Sequence, residues 1–261
     1  MLSGMTDRSV ENYFECNIIL HSECMDRWSM KNTKILAIDD DLIICEIITK
    51  MLSREGCEVY SANSGLDGLQ LLKDINPHLV LVDILMPSMD GMDVLKRIRE
   101  ISDVPTIMLS ALNQTNVTIR AMELGADDYI KKPFEKIELI TRIRSLLEPS
   151  FKTNFDLITQ YYDDGHLSIE LRENRVLVKN QPLRLAVTEY KFLEYLYLNS
   201  GNCCGYSEIL QNVWGDFAVN RFQYLHVYLG RLRNKIEKDP NNPEYLIADP
   251  GNGYRFEKQK E

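Results

Sequence analysis

The sequence predicts an α/β protein of two domains, in which a doubly wound, five-stranded parallel sheet is followed by a smaller α+β domain. Two observations predict this division. Between residues 34 and 148, short apolar runs alternate with longer amphipathic segments, which is the pattern of strand–helix units in a parallel sheet. After residue 166, the runs shorten and are separated by turn residues, which favours a small antiparallel sheet combined with helices.

The composition is that of an ordinary globular protein. Hydrophobic residues make up 44% of the chain, and the net charge of −9 argues against a protein that coats nucleic acid uniformly, while it allows one local basic face. The six cysteines form no CxxC pair, which favours reduced thiols in the cytoplasm. No apolar run approaches the roughly 18–20 residues of a membrane span. We therefore expect a cytoplasmic protein that does not contact a membrane.

The first domain is predicted to span residues 33–148. Residues 1–32 have no clear hydrophobic period, and we expect a poorly ordered extension there. The strands are predicted at residues 35–38, 59–60, 79–83, 106–109 and 128–130. The helices are predicted at residues 42–54, 65–75, 92–101, 114–124 and 135–148.

Strand 79–83 is the centre of this domain, because it is a run of branched apolar residues that ends in a single acid, Asp83. Such a run is typical of a strand that is buried on both faces. Ligands of open parallel sheets lie outside the carboxyl ends of the strands. Asp83 is therefore predicted to lie at the edge of the sheet where ligands bind. Pro87 and Gly91 then indicate a turn before the next helix.

Polar residues that should converge lie at four strand ends. Asp39 and Asp40 end the first strand, Asp83 the third and Ser110 the fourth, while Lys132 follows the fifth. Clustered carboxylates repel one another and need a cation, and oxygen ligands that leave room for water suit Mg²⁺. We then expect Lys132 and the Ser110 hydroxyl to hold phosphoryl oxygens while Asp83 attacks phosphorus as a carboxylate nucleophile.

Each of these residues alone has an ordinary structural explanation. An Asp after a strand is usually a turn or capping residue, and a Lys before Pro is usually on the surface. Two other functions stay open. Phosphatases of the haloacid dehalogenase type also use an Asp nucleophile with Mg²⁺, but they need a second acid two residues on, where this chain has Leu85. An interaction protein that works without phosphorylation is the other alternative, and the intact Asp40, Asp83 and Lys132 set argues against it.

Residues 33–148 resemble the receiver domain of two-component response regulators, which has a flavodoxin-like fold. The matching segments are 35–41, 83–91, 109–111 and 125–134. The resemblance implies that Asp83 accepts a phosphoryl group from a sensor histidine kinase and that Asp39 belongs to the acidic pocket. It implies further site residues: Asp40, Asp83 and the main-chain carbonyl of Leu85 as Mg²⁺ ligands, Ser110 and Tyr129 as switch residues, and Lys132 as the phosphate partner.

Phosphorylation adds about −1 to −2 charge, so Ser110 and Tyr129 are expected to rearrange and to change a remote face of the domain. In OmpR/PhoB-type regulators, this face forms a symmetric dimer through ion pairs. The resemblance implies the dimer residues Arg120, Asp128, Glu138 and Arg142. The ordinary alternative is a solvated helix surface of mixed charge. Because exposed ion pairs contribute only ~0–1 kcal/mol each, we expect a weak dimer that phosphorylation promotes.

Residues 149–165 are predicted to be a linker, since Pro149 ends the last helix and residues 163–165 are turn-forming. The second domain is predicted over residues 166–258. Its strands are predicted at residues 167–171, 175–178 and 183–185, and a hairpin at residues 245–256. The first of its three helices is predicted to begin at a Thr188 cap. The second and third helices are predicted over residues 206–214 and 222–238.

The helix predicted at 222–238 indicates contact with DNA. Leu225, Leu229 and Leu232 lie on one buried stripe, and between residues 221 and 238 five basic residues accompany the single acid Glu237. A solvated amphipathic helix is the ordinary alternative. Three helices followed by a glycine-rich hairpin favour a winged helix-turn-helix, whose third helix enters the major groove.

Residues 166–256 resemble the effector domain of OmpR/PhoB-type regulators, through segments 188–193, 213–215, 230–236 and 251–256. The start of the third helix is more similar to KdpE-type regulators. The resemblance implies a transcription regulator that is not an enzyme beyond slow reactions at Asp83, that dimerises on direct repeats of double-stranded DNA and that contacts RNA polymerase. The candidate DNA-binding residues are Gln223, Tyr224, Val227, Arg231, Arg233, Asn234 and Lys235.

Overall fold

The computed structural model describes residues 29–111, 115–148, 161–219 and 221–259. The first domain contains a five-stranded parallel sheet with the strand order β2-β1-β3-β4-β5. Its strands are β1 (Lys34–Ile38), β2 (Glu58–Ala62), β3 (Leu79–Asp83), β4 (Thr106–Ser110) and β5 (Asp128–Lys131). Its helices are α1 (Leu42–Ser53), α2 (Gly65–Ile75), α3 (Gly91–Ile101), α4 (Thr115–Leu124) and α5 (Lys136–Leu147). The predicted doubly wound α/β fold is thus confirmed.

The strands β3 and β4 occupy the interior of the sheet because they are apolar on both faces. Every residue of both strands is buried, including Asp83 and Ser110 at their carboxyl ends. The start of α3 lies against the end of β3, where the amide of Gly91 donates to the carbonyl of Ile84 at 2.9 Å. A Cβ at position 91 would lie 2.0 Å from the carbonyl oxygen of Asp83, so this approach requires glycine.

The first domain begins earlier than predicted. Residues 1–28 lie outside the described residues, whereas Met30 is 1% exposed and packs in the core of the first domain. The amide of Asn32 donates to the carbonyl of Gly56 at 3.0 Å, which fixes this lead-in against the turn before β2. Residues 29–32 therefore belong to the first domain because Met30 is buried in its core, although the sequence around them shows no clear hydrophobic period.

The second domain consists of two small antiparallel sheets and three helices among the described residues. Its strands are β6 (Tyr161–Asp163), β7 (Leu167–Glu170), β8 (Arg175–Val178), β9 (Gln181–Pro182), β10 (Cys204–Gly205), β11 (Leu246–Asp249) and β12 (Gly253–Phe256). Its helices are α6 (Val187–Leu198), α7 (Tyr206–Trp214) and α8 (Phe222–Ile236). The three helices and the β11–β12 hairpin confirm the predicted winged helix-turn-helix.

Two strands of the second domain differ clearly from the prediction. Strand β6 lies within the predicted linker, because Tyr161–Asp163 pairs with β7 in an antiparallel hairpin. The carboxylate of Asp164 forms the turn of this hairpin by accepting the amides of His166 and Leu167 at 2.9 and 2.8 Å. The rest of the predicted linker, up to residue 160, lies outside the described residues. Strand 183–185 is replaced by the shorter β9 before the chain turns into α6.

Two helix ends of the second domain also differ from the prediction, and a glutamate explains each. Helix α6 begins after Ala186 rather than at a Thr188 cap, because the carboxylate of Glu189 reaches back to accept the amide of Ala186 at 2.9 Å. Helix α8 ends at Ile236. The carboxylate of Glu237 turns away from the helix to accept main-chain amides of residues 244–246.

One continuous cluster of buried apolar residues spans the two domains. Met122 and Ala126 of the first domain and Trp214, Tyr224 and Tyr228 of the second all belong to it, and each is at most 1% exposed. The domains are therefore packed against each other, with α8 at the contact. Across the described ranges, we find no helix with both the length and the apolar character that crossing a bilayer requires.

Candidate functional site

Three carboxylates meet at the carboxyl edge of the parallel sheet. Asp39 and Asp40 come from the end of β1, and Asp83 comes from the end of the neighbouring β3. One carboxylate oxygen of each lies within 4.8 Å of the others, and Asp40 is exposed while Asp39 and Asp83 are buried. We call these three residues the acid pocket. Strand order places them together, since parallel strands end at the same edge.

Lys132 balances part of the charge of the acid pocket. Its Nζ lies 2.5 Å from Oδ2 of Asp39 and 2.7 Å from Oδ1 of Asp83. Burial raises the pKa of Asp83, while the hydrogen bond from Lys132 opposes this shift. Burial disfavours the charge of Lys132, but its hydrogen bonds to Asp39 and Asp83 raise its pKa above the ordinary value. The ammonium form of Lys132 is thus favoured, whereas burial works against the charged form of Asp83.

The acid pocket suits a hard divalent cation. Three carboxylates face one ammonium group, so the pocket keeps an excess of negative charge. Exposed Asp40 leaves the pocket open to water, and oxygen ligands with retained waters are the environment that Mg²⁺ prefers. Leu85 follows Asp83 by two residues in the loop before α3, and its side chain is half-exposed.

The two predicted switch residues lie on β4, which neighbours β3, and on β5, the next strand of the sheet. Ser110 ends β4 and is fully buried, one residue beyond the Leu109 that is in register with Asp83. Tyr129 lies on β5 and is 6% exposed. Its main-chain carbonyl accepts a hydrogen bond of 2.7 Å from Arg221, which belongs to the second domain. Tyr129 thus joins the sheet of the first domain to the contact between the domains.

Three of the four predicted dimer residues form a buried ion cluster within one subunit. Arg142 lies 2.6 Å from Asp128 and 2.9 Å from Glu138, and both Arg142 and Asp128 are 1% exposed. Arg120 instead pairs with Glu123 at 3.2 Å on the exposed surface of α4. Asp128, Glu138 and Arg142 therefore act together here, and we call them the ion cluster.

The candidate DNA-binding residues all lie on α8, but in different surroundings. Tyr224 is fully buried, and its hydroxyl is 3.3 Å from Asp128 of the first domain. Arg231 and Lys235 both bind the buried carboxylate of Glu189, at 2.7 and 2.6 Å. The remaining candidates are half-buried or exposed: Gln223, Val227 and Arg233 are half-buried, and Asn234 is exposed.

Three residues of the interdomain contact were not predicted from the sequence, namely Trp214, Arg221 and Tyr228. Tyr228 forms a second stripe on α8 together with Tyr224 and Arg231, at i, i+4 and i+7, beside the leucine stripe. A helix that carries two buried stripes packs against two neighbours. The second stripe was visible in the sequence as two tyrosines at helical spacing.

Comparisons with known proteins support the assignment of both domains. Residues 35–144 match the response regulator receiver domain, and residues 180–256 match the family described as transcriptional regulatory protein, C terminal. A probable transcriptional regulator, ycf27 of Porphyridium aerugineum, is 39% identical over 234 residues, which covers 88% of this chain and 98% of the relative. The transcriptional regulatory protein KdpE of Mycobacterium tuberculosis H37Rv is 33% identical over 225 residues, covering 86% of this chain and 99% of the relative.

Among solved structures, a mutant of RitR has a TM-score of 0.68 at 19% identity, covering 87% of this chain and 100% of the other, which shows a shared fold. The family matches cover both domains, and the relatives extend across most of the chain. The chain therefore belongs to the OmpR/PhoB-type response regulators, the transcription regulators of two-component systems that join a receiver domain to a DNA-binding domain.

Proposed function

We propose that Asp83 accepts a phosphoryl group from a sensor histidine kinase in the cytoplasm and that this modification controls DNA binding by α8. The observation that carries the proposal is the convergence of the acid pocket with Lys132, 2.7 Å from the Asp83 carboxylate. A carboxylate nucleophile beside a fixed ammonium group and a cation site is what phosphoryl transfer requires.

In the transfer, a carboxylate oxygen of Asp83 bonds to phosphorus while the bond from phosphorus to the donor histidine breaks. The product is an acyl phosphate, and slow hydrolysis restores the carboxylate. Mg²⁺ would be held by Asp40, Asp83 and the main-chain carbonyl of Leu85, and when bound it offsets the repulsion between carboxylates and phosphoryl oxygens. Lys132 then exchanges its contact with Asp83 for one with a phosphoryl oxygen.

The phosphoryl group is proposed to act through Ser110 and Tyr129. The Ser110 hydroxyl donates to a phosphoryl oxygen, which changes the space beside β4 and the position of Tyr129 on β5. Such a group can only select a conformation that it contacts differently. Because Tyr129 bonds Arg221 through its carbonyl, a shift there reaches the second domain directly.

Asp83→Asn is expected to abolish covalent phosphorylation, because the amide cannot attack phosphorus. The test treats the protein with acetyl phosphate and Mg²⁺ and measures added mass by intact-protein mass spectrometry. Asp74→Asn is the matched control, since Asp74 is an exposed acid on α2 away from the acid pocket. Wild type and control should gain one phosphoryl group, and chelation of Mg²⁺ should prevent it. Equal labelling of Asp83→Asn would disprove the assignment.

The phosphorylated protein is proposed to bind direct repeats of double-stranded DNA as a homodimer and to contact RNA polymerase there. Helix α8 would lie in the major groove, and the dimer would use the ion cluster together with Arg120. The residues of α8 that we propose to contact DNA are Gln223, Tyr224, Val227, Arg231, Arg233, Asn234 and Lys235. A phosphatase is disfavoured, since the matching families are transcription regulators, and a turnover assay with p-nitrophenyl phosphate checks this.

Asn234→Ala is expected to weaken specific DNA binding by about 1–3 kcal/mol, because it removes an exposed donor and acceptor from α8 without touching the core. Affinity is measured on the phosphorylated protein with specific and scrambled DNA. Arg175→Ala, an exposed substitution on β8, is the control and should leave specificity unchanged. Binding by all variants should weaken steeply with salt. If Asn234→Ala kept the wild-type ratio of affinities for specific and scrambled DNA, a different surface would have to recognise the DNA sequence.

A further inference from the structure

Helix α6 buries a single carboxylate against two cations of α8. The side chain of Glu189 is 0% exposed. Its Oε1 lies 2.7 Å from the guanidinium of Arg231, and its Oε2 lies 2.6 Å from Nζ of Lys235. Oε2 also accepts the amide of Ala186 at 2.9 Å, which caps the start of α6. One acid therefore joins the beginning of α6 to two basic side chains of α8.

Both cation partners of Glu189 remain partly accessible. The side chains of Arg231 and Lys235 are 19% and 33% exposed. Lys235 also donates to the carbonyl of Arg184 at 3.1 Å, and Arg231 donates to the carbonyl of Met122 in the first domain at 3.2 Å. Glu189 therefore holds each cation from its buried side, while part of each side chain stays at the surface.

Other basic residues near the end of α8 have different partners. Arg233 donates twice to the carbonyl of Leu246, at 3.0 and 2.6 Å, and Lys238 lies 3.4 Å from the exposed carboxylate of Glu244. Salt screens an exposed pair such as Lys238–Glu244 strongly, whereas it screens a buried charge much less. The single negative charge of Glu189 therefore offsets one of the two positive charges beside it at physiological salt.

We infer that Glu189 is a positioning residue for DNA recognition, which holds Arg231 and Lys235 in fixed places and offsets one of their two charges. Non-specific binding comes from the neutralisation of phosphates, so it grows with the number of free cations. Binding to one chosen site instead benefits from side chains that are already ordered. Glu189 thus disfavours non-specific binding more than specific binding. The inference rests on the proposed binding of DNA by α8, and the experiment separates the failure of one from the failure of the other.

The test uses Glu189→Gln, which keeps the shape and an acceptor for the amide of Ala186 but removes the charge. The matched control is Glu170→Gln on β7, because Glu170 accepts a hydrogen bond of 2.7 Å from exposed Arg175 and thus also forms an ion pair in the second domain. Full-length proteins, with and without acetyl phosphate and Mg²⁺, are titrated with scrambled duplex DNA and with a duplex selected on the wild-type protein. Each titration is repeated between about 50 and 200 mM salt.

Glu189→Gln should bind scrambled DNA roughly 3- to 10-fold more tightly than the control at about 0.1 M salt. The slope of log affinity against log salt should be steeper by about 0.9, the value for one added phosphate contact. The ratio of affinities for selected and scrambled DNA should fall about 3-fold or more, because the scrambled complex gains most from the freed cations. Glu189→Asp keeps the charge, so it should retain the wild-type slope even where the shorter side chain lowers the midpoint of thermal unfolding.

Equal slopes of Glu189→Gln and Glu170→Gln would overturn the inference, since the effect would then follow from net charge alone. The same comparison is made in Lys235→Gln protein, where only one cation lies beside Glu189, so that the test does not depend on the folding of Glu189→Gln by itself. Adding Glu189→Gln to Lys235→Gln should again steepen the slope by about 0.9. Equal slopes of the single and the double variant would overturn the inference as well.

The proposed function and this inference fail in different ways. If acetyl phosphate tightens the binding of wild type to the selected duplex while Glu189→Gln matches its control, the proposed function stands and the inference falls. If acetyl phosphate changes nothing while Glu189→Gln still binds scrambled DNA with the steeper slope, the inference stands and the control of DNA binding by Asp83 falls.

Discussion

Arg99→Met is expected to lower the free energy of unfolding of the first domain by about 3–5 kcal/mol, because it leaves a buried carboxylate without its countercharge. The guanidinium of Arg99 lies 2.7 Å from Oδ2 of Asp127, whose side chain is 0% exposed. Arg99 also donates to the carbonyls of Gly125 and Val104, at 2.8 Å each. Methionine keeps much of the volume but supplies none of these donors.

Denaturant unfolding followed by circular dichroism measures this loss. Lys96→Met is the matched control on the same helix, since Lys96 pairs with Asp93 at 2.7 Å while both side chains are about half exposed. An exposed pair of this kind contributes ~0–1 kcal/mol. Equal effects of the two substitutions would show that the buried Arg99–Asp127 pair adds nothing beyond a surface pair.

The loss in Arg99→Met should depend on pH. Burial already raises the pKa of Asp127 although Arg99 opposes the shift, and removal of Arg99 raises this pKa further. An acid with a raised folded pKa binds more protons when folded, so stability falls as pH rises from its unfolded pKa, about 3.9, through the folded value. The deficit of the variant should therefore be largest near neutral pH and should shrink on acidification. The unfolding measurements at about pH 5 and about pH 7.5 provide the comparison.

Trp214→Ala is expected to destabilise the second domain by about 3–5 kcal/mol, because it opens a cavity at the centre of an aromatic cluster. Trp214 is 1% exposed, and its ring lies 5.9 Å from Phe192 and 5.0 Å from Tyr228. The substitution also removes the donor to the carbonyl of Asp127, so it loosens the contact between the domains.

Thermal and denaturant unfolding of the full-length protein report the effect of Trp214→Ala. Phe217→Ala is the control, since Phe217 lies close in sequence but is 44% exposed. Trp214→Phe, which loses the N–H but retains a ring, should fall between the two. A Trp214→Ala protein as stable as Phe217→Ala would mean that the aromatic cluster does not support the second domain.

The acid pocket could be predicted from the sequence because its residues follow from strand ends. Once five strands were assigned, parallel pairing forced Asp39, Asp83 and Lys132 to one edge, whatever the details of the loops. The buried stripe of α8 was equally accessible, since Leu225 and Leu229 show the helical period directly. Local pattern is sufficient where a single sheet or helix determines the geometry.

The surroundings of α8 could not be predicted in this way. The family resemblance implies that Tyr224 faces DNA, whereas the contact of its hydroxyl with Asp128 involves a residue 96 positions away in the chain. Glu189 presents the same difficulty, because a glutamate in a helix is ordinarily exposed and this one is 0% exposed between Arg231 and Lys235. Periodicity identifies which face of a helix is covered and leaves open what covers it.

The carboxylate of Glu237 has a mechanical consequence. It accepts hydrogen bonds from the main-chain amides of Glu244, Tyr245 and Leu246, and Arg233 donates a hydrogen bond to the carbonyl of Leu246. These bonds join the end of α8 to the start of the β11–β12 hairpin. A displacement of α8 would therefore carry the β11–β12 hairpin with it. These bonds give α8 and the hairpin a fixed mutual geometry that does not depend on contact with any other part of the protein.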